Sequence, residues 1–207
     1  MHRLRQETGT DLSKYKRPTL LRRIGRRMQV RDIEHLGDYA DLVASDAEEL
    51  HELFDELLIG VTEFFRNRED WETLDDRVIP EIFEAKDSDD EVRVWVPGCS
   101  TGEEAYTVAM LLCRHADQLR ASPTIKVFAT DIDEKAIDVA RQATYPPAIA
   151  SDIPSDLMSR YFQGVDDQFQ VTKSVRRRVM FAIQNVLTDP PFPQLDLVSC
   201  RNLLIYL

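Results

Sequence analysis

Residues 92–104, V-R-V-W-V-P-G-C-S-T-G-E-E, run a buried-type strand into a tight glycine turn and straight on into a helix. No other segment constrains the fold as strongly. Its two glycines, Gly98 and Gly102, carry no Cβ, so a ligand can come close to the backbone there. A second strand, I-K-V-F-A-T-D at 125–131, ends on Asp131. A carboxylate at the carboxyl end of the second strand can accept hydrogen bonds from both hydroxyls of a ribose. Together the two segments predict a nucleoside cofactor at the strand tips of a doubly wound sheet.

From residue 92 onward helix and strand patterns alternate. Strands are expected at 92–97, 125–130, 179–184 and 195–199. A helix is expected at 102–119, with Ala105, Val108, Ala109 and Leu112 toward the sheet, and another near 134–142. That alternation implies an α/β fold with a parallel sheet and right-handed crossovers. The interval 143–178 is too long for a simple crossover. With Q-F-Q-V-T at 168–172 it predicts a small antiparallel β insertion at about 150–178.

Residues 1–72 read as helices only, a small all-α domain preceding the sheet domain at 73–207. Leu20, Ile24 and Met28 fall on one helical stripe. Ser45 and Glu48 have capping-box spacing before a helix whose apolar positions are Leu50, Leu53, Phe54, Leu57 and Leu58, and Gly60 suits its end. The polar stretch 85–91 separates the last of these helices from the first strand. The chain stops at Leu207 directly after a strand, which predicts that the sheet domain is incomplete at its carboxyl end.

At 207 residues, 43% hydrophobic and 30% charged, the sequence has the composition of a soluble globular protein with a real core. No apolar run reaches the roughly 20 residues of a membrane span, and the amino terminus lacks a signal-peptide core. Cys99, Cys113 and Cys200 give neither a disulfide framework nor a zinc spacing. A cytoplasmic protein without a metal and without membrane insertion is expected. The net charge of −11 argues against nucleic acid as a partner, which calls for a basic footprint. That acidity also suits a salt-rich cytosol.

G-C-S-T-G is not G-x-G-x-x-G, so the turn suits S-adenosylmethionine, which has no phosphate, better than a dinucleotide. Glu104 has two readings. It closes a Thr101-x-x-Glu104 capping box, or it meets the cationic amino group of the cofactor's methionine arm. Arg22, Arg23, Arg26 and Arg27 place like charges at i,i+4 spacing, which is unfavourable unless something anionic compensates. They pair with the chain's own carboxylates, or they dock an acidic partner helix. Phe64-Phe65-Arg66 follows a helix end, where a partly desolvated arginine could bind a carboxylate in bidentate fashion. Arg201 and Asn202, with Tyr206 nearby, follow the fourth strand at the ligand edge of such a sheet.

These residues resemble one family, the CheR chemotaxis receptor-glutamate methyltransferases. The matching blocks are G-T-D-L-S-K-Y-K…L-L-R-R-I-G-R-R-M at 9–28, T-E-F-F-R at 62–66, V-P-G-C-S-T-G-E-E-A-Y at 96–106, F-A-T-D-I-D at 128–133 and L-D-L-V-S-C-R-N-L-L-I-Y at 195–206. They stand in family order over nearly the whole chain, and the last is most similar to hybrids that also carry methylesterase and sensor domains. The resemblance implies a Rossmann-like methyltransferase domain. It further implies S-adenosylmethionine as cofactor, S-adenosylhomocysteine as product, and methyl esterification of glutamates on chemoreceptor cytoplasmic helices. By position it implies cofactor contacts at Thr62, Arg66, Glu104, Asp131, Asn185, Val186, Cys200, Arg201 and Asn202, beside Gly98 of the turn. It implies catalytic or orienting roles for Arg66 and Tyr206, and receptor docking by the helix carrying Arg22, Arg23, Arg26 and Arg27. The sequence departs from the family in three places. Position 60 is Gly where Asn is expected. The insertion at 163–170 lacks a Gly-rich loop, which favours action without a receptor tail. The family's sheet continues past the residue where this one stops. A non-catalytic cofactor-binding or docking module of a signalling hybrid is the competing reading.

Overall fold

The structure, a computed structural model, describes residues 2–8, 12, 15–58, 60 and 62–205. Packing divides the chain into two units, Met1–Ile59 with Arg201–Leu207, and Gly60–Cys200.

The described part of the first unit holds helices α1 (His2–Thr8), α2 (Arg17–Val30), α3 (Leu36–Ser45) and α4 (Ala47–Leu57). Helix α4 starts one residue later than the Ser45–Glu48 spacing predicts. Asp46 is its N-cap, and the Asp46 carboxylate accepts from the Glu48 and Glu49 N–H groups at 2.9 and 3.2 Å. Ser45 instead closes α3, its hydroxyl donating back to the Asp41 carbonyl at 2.9 Å. Leu50, Leu53 and Leu57 are buried at the predicted spacing. The helix ends at Leu57 with extended Leu58 as C-cap, so Gly60 caps nothing.

The inner face of α4 also carries Glu49, which is fully buried. Arg27 grips it with two bonds, at 3.1 and 2.7 Å, Arg31 Nε lies 2.7 Å away, and the Tyr39 hydroxyl donates at 2.7 Å. Burial alone would raise the Glu49 carboxyl, but Arg27, Tyr39 and Arg31 together hold it below the usual carboxylate range. Arg23 is likewise committed, to the Glu56 carbonyl at 2.8 Å and its carboxylate at 3.3 Å. Arg26 reaches the same Glu56 carboxylate at 3.5 Å, so three of the four clustered arginines pair within their own unit. Arg26 is 72% exposed, and Arg22 is exposed as well.

The second unit opens with α5 (Arg68–Thr73), a π-helical turn (Leu74–Val78) and α6 (Ile79–Glu84). Strand β1 (Glu91–Pro97), helix α7 (Glu103–Ala116), β2 (Thr124–Asp131) and α8 (Glu134–Gln142) follow, close to their predicted bounds. With β6 (Val179–Ile183) and β7 (Leu197–Val198) they build a parallel sheet of order β6-β2-β1-β7. Strand β7 is two residues long where five were expected. Val92, Val94, Val96, Val127 and Ala129 of the sheet share a buried core with Ala105, Val108, Ala109 and Leu112 of α7.

Between α8 and β6 lie β3 (Thr144–Tyr145), α9 (Ser155–Tyr161), β4 (Phe162–Val165), β5 (Gln168–Val171) and α10 (Lys173–Arg176). The three strands form a separate antiparallel sheet, β3-β5-β4. The insertion is the one expected, but it begins at Thr144 rather than near 150.

Helix α7 corrects two expectations. Its N-cap is Gly102, and Thr101 Oγ1 donates to the neighbouring Glu103 carboxylate at 2.7 and 2.8 Å, so the Thr101–Glu104 capping box does not form. Gly102 has φ +96°, and a Cβ there would lie 2.9 Å from Ala140 Cβ and 3.2 Å from both the Phe181 ring and the Tyr145 hydroxyl. Its missing side chain makes room for the protein's own core rather than for a ligand. Gly102→Ala is expected to cost roughly 2–5 kcal/mol, from left-handed strain plus overpacking. Chemical denaturation checks this, and an unchanged midpoint would refute it.

Candidate active site

The carboxyl ends of the strands are held in place by backbone bonds. Cys99 N–H donates to Thr130 O at 3.0 Å, Gln184 N–H to Asp131 O at 2.9 Å, and Ser199 N–H to Trp95 O at 2.9 Å. The turn after β1 bends through positive φ at Gly98 (69°) and Ser100 (48°). Asp131, at the tip of β2, receives the Ser100 N–H on Oδ2 at 2.7 Å and the Asp133 N–H on Oδ1 at 3.0 Å. This is the carboxylate expected to accept from both hydroxyls of a ribose. Both oxygens already hold backbone donors, and a carboxylate's four lone-pair sites leave capacity for a further donor. Burial, helped by the Asp133 charge, pushes the Asp131 pKa up, and the backbone N–H groups of Asp133, Ser100 and Ile132 oppose that shift.

Glu104 stands in the first turn of α7, where the helix dipole favours negative charge. Its Oε1 accepts from the Ser199 hydroxyl at 2.6 Å. Next to Ser199, the Cys200 thiol is pushed up by burial and then by the Glu104 charge. Glu103 is also raised by burial, with the Thr101 hydroxyl opposing the shift. Across the turn, the Tyr145 hydroxyl donates to Thr101 O at 2.8 Å. Asn185 shapes the loop after β6. Its Oδ1 accepts from Leu187 N–H at 3.0 Å, and its own N–H donates to Asp189 at 2.8 Å. Val186 is half-buried in the same loop.

The connector from Gly60 runs beside the glycine turn, since a Cβ built at Gly60 would sit 3.6 Å from Ser100 Oγ. Thr62 is half-buried on it, and Phe64 and Phe65 are buried. Arg66 is half-buried between two residues with left-handed backbone, Phe65 and Asn67, and its carbonyl accepts from Trp71 Nε1 at 2.8 Å.

Of the residues singled out in the sequence, Thr62, Arg66, Gly98, Glu104, Asp131, Asn185, Val186 and Cys200 share the second unit, while Arg201 and Asn202 pack with the first. Tyr206 lies outside the described residues. The sequence reading missed Ser100, which contributes a backbone donor, and Ser199. Neither has a linear signal, because their partners lie 31 and 95 positions away.

Three carboxylates, Glu103, Glu104 and Asp131, gather around this turn. Such a set repels a pyrophosphate and suits a cationic ligand rich in hydroxyls. Among the described residues no group of three His, Cys, Asp or Glu side chains is placed to hold a metal ion. No helix there is long and apolar enough to cross a membrane.

Comparison with known proteins agrees with this chemistry. Residues 60–207 match the family described as "CheR methyltransferase, SAM binding domain", and residues 1–58 match "CheR methyltransferase, all-alpha domain". The chain is 31% identical over 206 residues to a chemotaxis protein methyltransferase of Borreliella burgdorferi, covering 96% of this chain and 72% of that protein. It is 31% identical over 211 residues to a chemotaxis protein methyltransferase of Escherichia coli, covering 97% and 70%. It is 41% identical over 192 residues to an uncharacterized 104.1 kDa protein of Rhodobacter capsulatus, covering 93% of this chain but only 20% of that one.

Proposed function

This chain belongs to the CheR methyltransferase family, whose cofactor is S-adenosylmethionine, and on that premise we propose that it methylates glutamate side chains on chemoreceptor cytoplasmic helices. The observation that carries the reading is the acidic strand-tip site. Asp131 and Glu104 border one glycine turn, with acceptor oxygens for a ribose and a carboxylate for an ammonium group.

When bound, the cofactor supplies a sulfonium methyl that passes to a carboxylate oxygen of the substrate, leaving S-adenosylhomocysteine and a methyl ester. The substrate glutamate is already ionised near neutral pH, so no general base is needed. The work left to the protein is alignment and exclusion of water. Asp131 and Glu104 hold the donor. Asn185, Val186 and Cys200 line the neighbouring strand ends. Arg66 orients the incoming carboxylate by one oxygen and leaves the other nucleophilic. Arg22, exposed on α2, and Arg26, still 72% exposed beside its ion pair to Glu56, offer cationic contacts to an acidic receptor helix.

The deciding experiment is transfer of labelled methyl from S-adenosylmethionine to a receptor cytoplasmic fragment, with base-labile label as the mark of an ester. Calorimetry with S-adenosylhomocysteine on the same sample separates a cofactor-binding protein from an empty scaffold. Binding without transfer to any receptor fragment would refute the proposed substrate. Arg66→Ala is expected to lower turnover by about 100-fold or more while cofactor affinity stays within about threefold. A parallel fall in affinity would reassign Arg66 to cofactor binding alone.

A further inference from the structure

Ser199 directly follows strand β7, and its place is fixed by its backbone bond to Trp95 of β1. Only 9% of this serine is exposed, and its hydroxyl reaches Glu104 Oε1 at 2.6 Å. That length is typical of a charge-assisted O–H···O⁻ bond. A glutamate side chain has several rotatable bonds, and holding it in one rotamer costs entropy unless a neighbour fixes it. A hydroxyl is well suited to this task. It fixes the carboxylate without cancelling its charge, as an arginine or lysine would.

We propose that Ser199 is a positioning residue of the donor pocket, its hydroxyl holding Glu104 in the orientation that meets the ammonium of the cofactor's methionine arm. This rests on the reading of Glu104 given above. The bond joins the end of β7 to the start of α7, so the charge is placed by two elements of the fold rather than by its own helix alone.

The test compares two ligands. S-adenosylhomocysteine carries the amino-acid arm, and 5′-methylthioadenosine keeps the adenosine and thioether but lacks that arm. Calorimetric titration is run on the wild type, Ser199→Ala, Ser199→Thr and Glu104→Gln, each checked for an unchanged thermal midpoint. Ser199→Ala is expected to lose about tenfold in affinity for S-adenosylhomocysteine, the scale of one charge-assisted hydrogen bond, and nothing for methylthioadenosine. Ser199→Thr keeps the hydroxyl and recovers the loss, and Glu104→Gln shows the same ligand selectivity. Equal losses on both ligands, or none on either, would overturn the role given to Ser199. A wild-type protein that binds neither ligand would instead sink the donor pocket itself.

Discussion

Glu49→Ala is expected to cost the helical unit about 3–5 kcal/mol, the usual penalty for stripping one partner from a buried ion pair. The substitution leaves Tyr39, 2% exposed, without the carboxylate it donates to, and Arg27, whose side chain is 13% exposed, with only the longer 3.4 Å contact to Glu52. At about 0.05–0.15 kcal/mol of stability per residue, a unit this small has little more than that to lose. Far-UV circular dichroism under denaturant would report an early loss of helix, and a wild-type midpoint would refute the assignment. Acid should act on the same contact. The folded-state Glu49 pKa is depressed, so its contribution is fully present above the unfolded value of about 4.3 and disappears as pH falls through the lower, folded value. In Glu49→Gln the acid-side slope of stability should flatten. Removing the whole polar group at once, with Glu49→Leu, Arg27→Met and Tyr39→Phe, should recover much of the loss, because no buried group is then left unpaired.

The second large effect is expected at Asp131. Its alanine variant should bind S-adenosylhomocysteine at least about 100-fold more weakly, since a charged acceptor is worth roughly 1.5–3 kcal/mol per bond. Loss of the proposed ribose contacts would be only part of the cause. The same carboxylate ties the Ser100 and Asp133 N–H groups together, so the turn after β1 and the turn after β2 lose their common anchor. Asp131→Asn keeps one acceptor oxygen and should fall between the two. The distinguishing measurement is amide exchange at Ser100 and Asp133. Faster exchange in Asp131→Ala marks the lost anchor, and unchanged exchange would confine the residue to ligand contact.

Much of this architecture could be read from local pattern. Strands β1 and β2 and helix α8 carry enough apolar periodicity to fix their limits within a residue or two. The failures lie where two local solutions compete. Ser45 and Asp46 are both good caps and stand side by side, and the carboxylate won. Thr101 could reach either glutamate of the pair 103–104, and it bonds the nearer. Strand β3 is two residues long, too short to show a period. At the site, residue identities on the strand tips were legible, but their mutual support was not. The bond from Ser199 to Glu104 and the packing around Gly102 join positions far apart in sequence, and only the folded chain brings them together.

Tyr145 belongs to the small antiparallel sheet, yet its hydroxyl holds the Thr101 carbonyl and its ring edge meets Phe64 with centroids 4.9 Å apart. Phe64 also leans on Phe162 of β4, at 5.6 Å. One aromatic hinge pin thus fastens the hairpin to the mouth of α7 and to the segment bearing Arg66. A protein that tugged on that hairpin would pull on the Phe64 segment and on the glycine turn in concert, so leverage applied at the rim would be felt at the mouth of α7.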